Sequence, residues 1–72
     1  MKKEMPFETL PEKIARNLVR LRGGQSQLAL SVKTGVDLRS INRWESGKSM
    51  PSQRNLNKLA EALGCHQEEF LK

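Results

Sequence analysis

The sequence predicts an all-α protein, a compact bundle of five short helices. Three observations predict this class. Apolar residues recur at helical spacing, glycines separate the apolar runs, and no stretch alternates apolar and polar residues as a strand would. A chain of 72 residues makes one domain, which buries only roughly 60% of its unfolded surface. We expect residues 1–8 to form an N-terminal arm and residues 9–72 to form the domain.

The first two helices are predicted from their capping residues. Thr9 and Glu12 make the S/T-x-x-E pattern of a capping box, which places helix 1 over about residues 10–22. Two consecutive glycines follow and end it. Ser26 is a good N-cap for a second helix, which ends before Gly35.

The third helix is predicted over about residues 38–45. Asp37 precedes it and is expected to cap its N-terminus. Ile41 and Trp44 lie at i and i+3, so they share one face, which we expect to enter the core. Gly47 follows the helix and is expected to end it in the left-handed conformation that glycine adopts easily.

The remaining helices complete the bundle. Helix 4 is expected to begin after Pro51 and Ser52, and its apolar positions continue at helical spacing up to Gly64. A short fifth segment over residues 67–71 ends the chain.

The charge balance is consistent with a polyanionic partner. Thirteen Lys and Arg residues against eight Asp and Glu residues give a net charge of +5 and an isoelectric point of about 9.9. A basic domain of this size often binds nucleic acid. A charged surface that only keeps a protein soluble would give the same balance, so charge alone leaves both alternatives open.

What the sequence lacks disfavours several classes of protein. No apolar run reaches the roughly 20 residues of a membrane-spanning helix, and the basic N-terminus has no apolar signal segment. Cys65 is alone, and together with His66 it falls short of a four-ligand zinc site. Motifs for a nucleophilic serine or a phosphate loop are missing. We therefore expect a cytoplasmic, non-enzymatic protein without metal or cofactor.

Helices 2 and 3 have the spacing of a helix-turn-helix. Ser26-Gln27 is followed nine residues later by Gly35-Val36, and Ile41 lies six residues beyond Gly35. The order continues with Trp44-Glu45, Gly47-Lys48, Pro51 and the run from Leu59 to Gly64. This ordered set resembles the helix-turn-helix domain of the lambda repressor and Cro (XRE) family, over residues 12–71. The resemblance implies a five-helix domain of a DNA-binding transcriptional regulator, a repressor of phage or prokaryotic type.

The resemblance also implies which residues contact bases. In this family helix 3 lies in the major groove, which assigns base contacts to Leu38, Arg39, Asn42 and Arg43. Arginine is the commonest partner of guanine, asparagine pairs with adenine, and a leucine suits a thymine methyl group. The alternatives are phosphate contact or solvation for the two arginines, core packing for Leu38, and phosphate contact or simple exposure for Asn42.

Four further residues are implied as phosphate contacts, which supply affinity and register rather than sequence reading. Gln27 begins helix 2, where backbone N–H groups also favour an anion. Lys48 and Ser49 lie in the loop after helix 3, and Arg54 begins helix 4.

Two pairs of residues are expected to have other roles. Arg22 and Glu45 resemble a structural ion pair that links helix 1 to helix 3. Phe70 and Leu71 end the chain and are candidate contacts in a weak homodimer, or in a dimer formed on a palindromic duplex operator. Docking of this terminal pair into the chain's own core is the alternative.

Two departures from the family pattern affect helix 2. The turn before Ser26 is shorter than usual, and its two glycines are expected to absorb the difference. Leu28 and Val32, four residues apart, form an apolar stripe where the family is usually polar. We expect the N-terminal segment with Phe7 and Leu10 to fold onto this stripe. The alternative is that the stripe faces a partner chain. The rival to the regulator as a whole is a protein-interaction module, similar to an antitoxin, that binds DNA weakly or not at all.

Overall fold

The structure is a computed structural model that describes residues 8–72. Five helices follow one another, and no strand occurs within this part of the chain. The elements are α1 (Leu10–Arg22), α2 (Gln27–Thr34), α3 (Leu38–Glu45), α4 (Gln53–Leu63) and the 3-10 helix η1 (Gln67–Leu71). The all-α prediction is confirmed, and the fifth predicted helix is a 3-10 helix.

The helices begin at the caps that the sequence predicts, with one exception. Thr9 and Glu12 form a capping box, in which each side chain accepts a hydrogen bond from the other residue's backbone N–H, at 3.2 and 3.0 Å. Ser26 accepts from the N–H of Ala29 at 2.9 Å. Asp37 occupies the N-cap position of α3, but its carboxylate makes no capping hydrogen bond. The prediction for Asp37 is therefore right in position and wrong in mechanism.

Glycines set the geometry on both sides of α3. Gly35 has φ +76° and donates to Ser31 O at 2.8 Å, which closes α2 and turns the chain toward α3. Gly47 has φ +77°, and the N–H of Lys48 donates to Arg43 O at 3.1 Å across it. This second pattern is a Schellman motif, so the chain reverses directly after the last turn of α3.

Each helix contributes one fully buried apolar side chain to the core. These residues are Leu18, Leu30, Ile41, Leu59 and Phe70, in chain order from α1 to η1. α1 packs against α3 and η1, while α2 packs against α3 and α4. The helix-turn-helix is therefore held from behind by the rest of the bundle.

The burial of Phe70 corrects the expectation that it contacts a second chain. Its side chain has no exposed surface, whereas Leu71 is half exposed at 51%. An aromatic ring at the end of the chain fills the core because a domain this small has few large side chains with which to do so. Of the two alternatives for the terminal pair, Phe70 takes the core position and only Leu71 remains on the surface.

Asn17 is the one polar residue that is buried among residues 8–72. Its Nδ2 donates to the Phe70 carbonyl at 2.9 Å, and its Oδ1 accepts from the Nε and Nη2 of Arg20 at 3.2 and 3.1 Å. A buried amide is tolerated when its donors and acceptor have partners. Asn17 thus ties η1 to α1.

The predicted apolar stripe on α2 lies on the surface. Leu28 is 60% exposed and Val32 is 76% exposed. The N-terminal segment that is predicted to fold onto this stripe includes Phe7, which lies outside the described residues. That contact therefore stays a prediction. Leu10, the other residue named in it, begins α1 and is about half exposed. None of the described helices is long and apolar enough to cross a membrane.

Candidate nucleic-acid interface

α3 has one face in the core and one face in solvent. Ile41 and Trp44 are buried, as their i, i+3 spacing predicts. On the opposite face Arg39, Asn42 and Arg43 are exposed. Because the buried residues fix the rotation of the helix about its axis, the direction in which its polar side chains project is fixed as well.

The outer face of α3 and the start of α2 enclose an open groove of about 410 Å³. Five residues line it, namely Gln27, Leu38, Arg39, Asn42 and Arg43. They comprise all four residues predicted to contact bases, together with one residue predicted to contact phosphate. The structure therefore brings the four predicted base contacts and one predicted phosphate contact, Gln27, together on one surface.

The two arginines of this groove have no anionic partner in the part of the chain that the structure describes. Among residues 8–72, neither Arg39 nor Arg43 forms an ion pair or a side-chain hydrogen bond. Leu38 is 40% exposed and lines the groove, so it is only partly covered by protein. A surface with two free guanidinium groups beside an exposed apolar side chain can accept an anionic ligand that also offers apolar contact.

Glu45 anchors the last turn of α3. Arg22 Nε and Nη2 donate to its two carboxylate oxygens at 2.6 and 2.8 Å, and Arg22 Nη1 donates to Gln25 O at 2.7 Å. The hydrogen bond to Glu45 raises the pKa of Arg22 above its usual value. The ion pair that the sequence predicts is therefore present, and it joins α1, the turn before α2, and α3.

Gln27 joins the same carboxylate to the groove. Its Nε2 donates to Glu45 Oε1 at 2.8 Å, and its Oε1 accepts from Asn42 Nδ2 at 3.4 Å. The sequence predicts that Gln27 contacts a phosphate, but it does not predict these two hydrogen bonds. The partners lie 18 and 15 residues away, beyond the range of helical periodicity. The only signal was the identification of a helix-turn-helix, which places the start of α2 beside α3.

The other predicted phosphate contacts lie outside the groove. Lys48 is exposed and Ser49 half-buried in the loop after α3, and Arg54 is exposed in the first turn of α4. The Schellman motif at Gly47 holds the start of this loop against the end of α3. Lys48 therefore projects from a defined backbone position directly after α3.

The described acidic residues and Cys65 do not cluster. Within residues 8–72, no group of three or more His, Cys, Asp or Glu side chains could hold a metal ion. Cys65 is half-buried, and burial raises the pKa of its thiol, so the neutral form is favoured. It packs against the core as a small apolar side chain.

Comparison with known proteins places this geometry in context. The family model described as Helix-turn-helix matches residues 18–70. An uncharacterised HTH-type transcriptional regulator from Haemophilus influenzae is 44% identical over 57 residues, which is 79% of this chain and 23% of the relative. The chain thus spans about a quarter of the length of that curated relative.

Two solved structures have the same fold. The restriction-modification controller protein C.AhdI from Aeromonas hydrophila is 32% identical with a TM-score of 0.78, over 83% of this chain and 94% of that one. A hypothetical transcription factor, NHTF from Neisseria, is 28% identical with a TM-score of 0.84, over 100% of this chain and 86% of that one. Both similarities cover more than the two central helices, so they extend to the bundle as a whole.

Proposed function

The chain belongs to the helix-turn-helix family, and from that premise we propose that it is a transcriptional regulator that binds duplex DNA sequence-specifically. In the proposed complex α3 enters the major groove and the N-terminus of α2 faces the DNA backbone. Two matched proteins are named as a transcriptional regulator and a transcription factor, and a third as a restriction-modification controller, which supports a regulatory role. The role is non-enzymatic, and its site of action is the cytoplasm, where bacterial DNA lies.

One observation carries the proposal. The exposed face of α3 presents Arg39, Asn42 and Arg43 around a single groove, with the two guanidinium groups unpaired among the described residues. The core on the other side of α3 already fixes the helix, so Arg39 and Arg43 are available to a ligand. Arg and Asn are the side chains that pair bidentately with guanine and adenine in the major groove.

Each groove residue then has a distinct role. Arg39 and Arg43 donate to the O6 and N7 atoms of guanine, and Asn42 pairs with adenine. Leu38 cannot make a side-chain hydrogen bond, so its exposed part suits a thymine methyl group. Gln27, Lys48, Ser49 and Arg54 contact phosphates and set the register of α3 in the groove.

We further propose that the chain acts as a repressor and binds as a dimer to a palindromic operator. Family members read half-sites that lie roughly 34–36 Å apart, one helical turn of DNA. With Phe70 in the core, Leu71 is the terminal apolar residue left for the contact between two copies. A contact this small predicts a weak dimer that forms cooperatively on DNA. In footprinting, protection of a single half-site with a non-cooperative titration would contradict the dimer.

The decisive experiment selects bound sequences from a random duplex pool and measures two variants on the result. Arg43→Ala should cost about 1–3 kcal/mol on the preferred site and relax the preference at one base position. Lys48→Ala should weaken all duplexes alike and reduce the log–log salt slope by about 0.9, the contribution of one phosphate. An Arg43→Ala variant that loses affinity uniformly would reassign Arg43 to phosphate.

A second candidate function is supported by one observation. Leu28 and Val32 form an exposed apolar stripe on α2, away from the residues that line the α3 groove. Such a stripe suits a protein partner, as in an antitoxin-like interaction module. A gel shift against random duplex at low and physiological salt separates the two functions. Salt-dependent binding supports the regulator, and no binding at either salt concentration supports the module.

A further inference from the structure

A chain of hydrogen bonds connects Glu45 to the base-reading face of α3. Glu45 accepts from Gln27 Nε2 at 2.8 Å, and Gln27 Oε1 accepts from Asn42 Nδ2 at 3.4 Å. We propose that Gln27 is a positioning residue that orients the Asn42 amide and thereby favours adenine over guanine at the base that Asn42 faces. This inference rests on the proposed binding of duplex DNA.

The direction of these hydrogen bonds follows from the chemistry of Glu45. An ionised carboxylate only accepts hydrogen bonds. Glu45 is held in place by two hydrogen bonds from Arg22, and its side chain is only 6% exposed. Gln27 must therefore turn its NH₂ group toward Glu45, because its carbonyl oxygen would be repelled there.

The orientation of Gln27 then determines that of Asn42. Once Nε2 of Gln27 faces Glu45, its Oε1 faces Asn42 and accepts a hydrogen bond. Asn42 has to use an Nδ2 hydrogen for this contact, so its Oδ1 points away from Gln27. The amide of Asn42 is exposed, and without this contact it could rotate to present either end to a ligand.

The fixed orientation discriminates between the two purines. Asn42 is left with Oδ1 as an acceptor and one Nδ2 hydrogen as a donor. Adenine offers the complementary pattern in the major groove, a donor at N6 and an acceptor at N7. Guanine offers acceptors at both O6 and N7, so one of them would oppose Oδ1. The amide would have to break its contact with Gln27 to reduce that repulsion.

Gln27 is suited to this role by its position. It is the first residue of α2, and it is half-buried between the end of α3 and the groove. Glu45 and Asn42 lie three residues apart on α3, so one glutamine side chain can reach both. The second hydrogen of Nε2 remains free for a phosphate oxygen, so phosphate contact and positioning are separate properties of Gln27.

The test compares base preference rather than affinity alone. Gln27→Met keeps the length of the side chain and removes both hydrogen bonds. On duplexes that differ only at the base facing Asn42, we expect the parent to prefer adenine over guanine by about tenfold or more. Gln27→Met should reduce this ratio by about three- to tenfold. Lys48→Ala is the matched control, because loss of a phosphate contact lowers affinity for both duplexes and leaves the ratio unchanged.

A double variant isolates the contribution of Asn42. Asn42→Ala removes the amide that Gln27 is proposed to orient, so adding Gln27→Met to it should leave the adenine-to-guanine ratio unchanged. A further fall in the ratio would show that Gln27 reads the base itself and would overturn the positioning role. A uniform loss of affinity in Gln27→Met, with the ratio of the parent retained, would also overturn it.

An NMR measurement on the free protein tests the orientation without DNA. In the parent, the side-chain amide of Asn42 should be restricted in its rotation, and its Nδ2 hydrogens should exchange slowly with water. In Gln27→Met both effects should disappear, while the backbone resonances show that the protein remains folded. Unchanged Asn42 signals would contradict the hydrogen-bond chain. A parent that binds no duplex would refute the proposed function and with it the base preference, while the NMR result still decides whether Gln27 orients Asn42.

Discussion

Two side-chain networks hold α1 against its neighbours by opposite means. At one end Arg22 reaches across to Glu45 with charged groups that are mostly buried, and Glu45 also bonds Gln27 in the groove. On the other side Asn17 bonds the Phe70 carbonyl with a neutral amide that is fully buried. The first network fixes the helix that is proposed to read DNA, and the second fixes the end of the chain.

The difference shows that, in this small domain, one network can orient a residue of the groove while another stabilises the core. A largely buried charged pair adds little net stability, because the attraction between the two groups is offset by the cost of removing them from water, but it can orient a neighbouring polar residue such as Gln27. A buried amide cannot contact a ligand. Removing it, however, leaves the Phe70 carbonyl without a partner in the core, which costs more than loss of the bond alone. Disrupting each network separately should therefore change different properties.

The largest effect is expected for Asn17→Ala. The variant leaves the buried Phe70 carbonyl without its donor and opens a small cavity, which should lower the free energy of unfolding by about 2–3 kcal/mol. Urea unfolding measures the loss, and native-state hydrogen exchange should show the Glu69 amide opening first. Asn55→Ala, on the half-buried side of α4, is the control and should change stability by about 0.5 kcal/mol or less. Equal effects from the two variants would show that the hydrogen bond from Asn17 to the Phe70 carbonyl adds no stability of its own.

A smaller effect is expected for Arg22→Ala. Glu45 keeps its hydrogen bond from Gln27, and the Arg22 side chain is 19% exposed, so the loss should be about 1–2 kcal/mol. Exchange of the Ser46 amide, which bonds Asn42 O, should accelerate while the Glu69 amide is unaffected. Faster exchange at Glu69 instead would show that the two networks are coupled through α1.

The smallest effect is expected at acid pH. Hydrogen bonds and charge from Lys72 and Arg20 hold the pKa of the Glu69 carboxyl below its usual value. The stability that this carboxylate adds is fully present above its unfolded pKa and is lost as the pH falls through the lowered folded pKa. Glu69→Gln should therefore flatten the decline in stability below about pH 4.5 and leave the exchange of α3 amides unchanged. A curve that superimposes on that of the parent would show that solvent screens the pair completely.

The sequence predicted the features that depend on interactions between residues close together in the chain. The helix bounds follow from Thr9, Ser26 and Ser52 as N-caps and from glycines after the last turns, and these act within four residues. The grouping on one face of α3 of the residues predicted to contact bases follows from helical periodicity, since the apolar positions settle which face is buried.

Contacts between distant residues were mostly not predicted, the exception being the Arg22–Glu45 ion pair that the family resemblance implied. Asn17 sits within α1 as an ordinary polar residue, and its partner lies 53 residues away. Phe70 could be assigned to the core only once the space beside α1 was known. The contacts of Gln27 depend on how closely α2 approaches α3, which the turn at Gly35 sets and no residue pattern encodes.

The length of α3 also limits how much information one copy of the chain can read. Eight residues rise about 12 Å, a span of about four base pairs. Four base pairs distinguish about 250 sequences, so one copy would find thousands of matches among the roughly 10⁶ or more competing sites of a genome. Two copies that read eight base pairs distinguish about 65,000 sequences, because the number of alternatives multiplies when half-sites are joined. For the proposed regulator, selectivity therefore depends on pairing two short helices rather than on lengthening one.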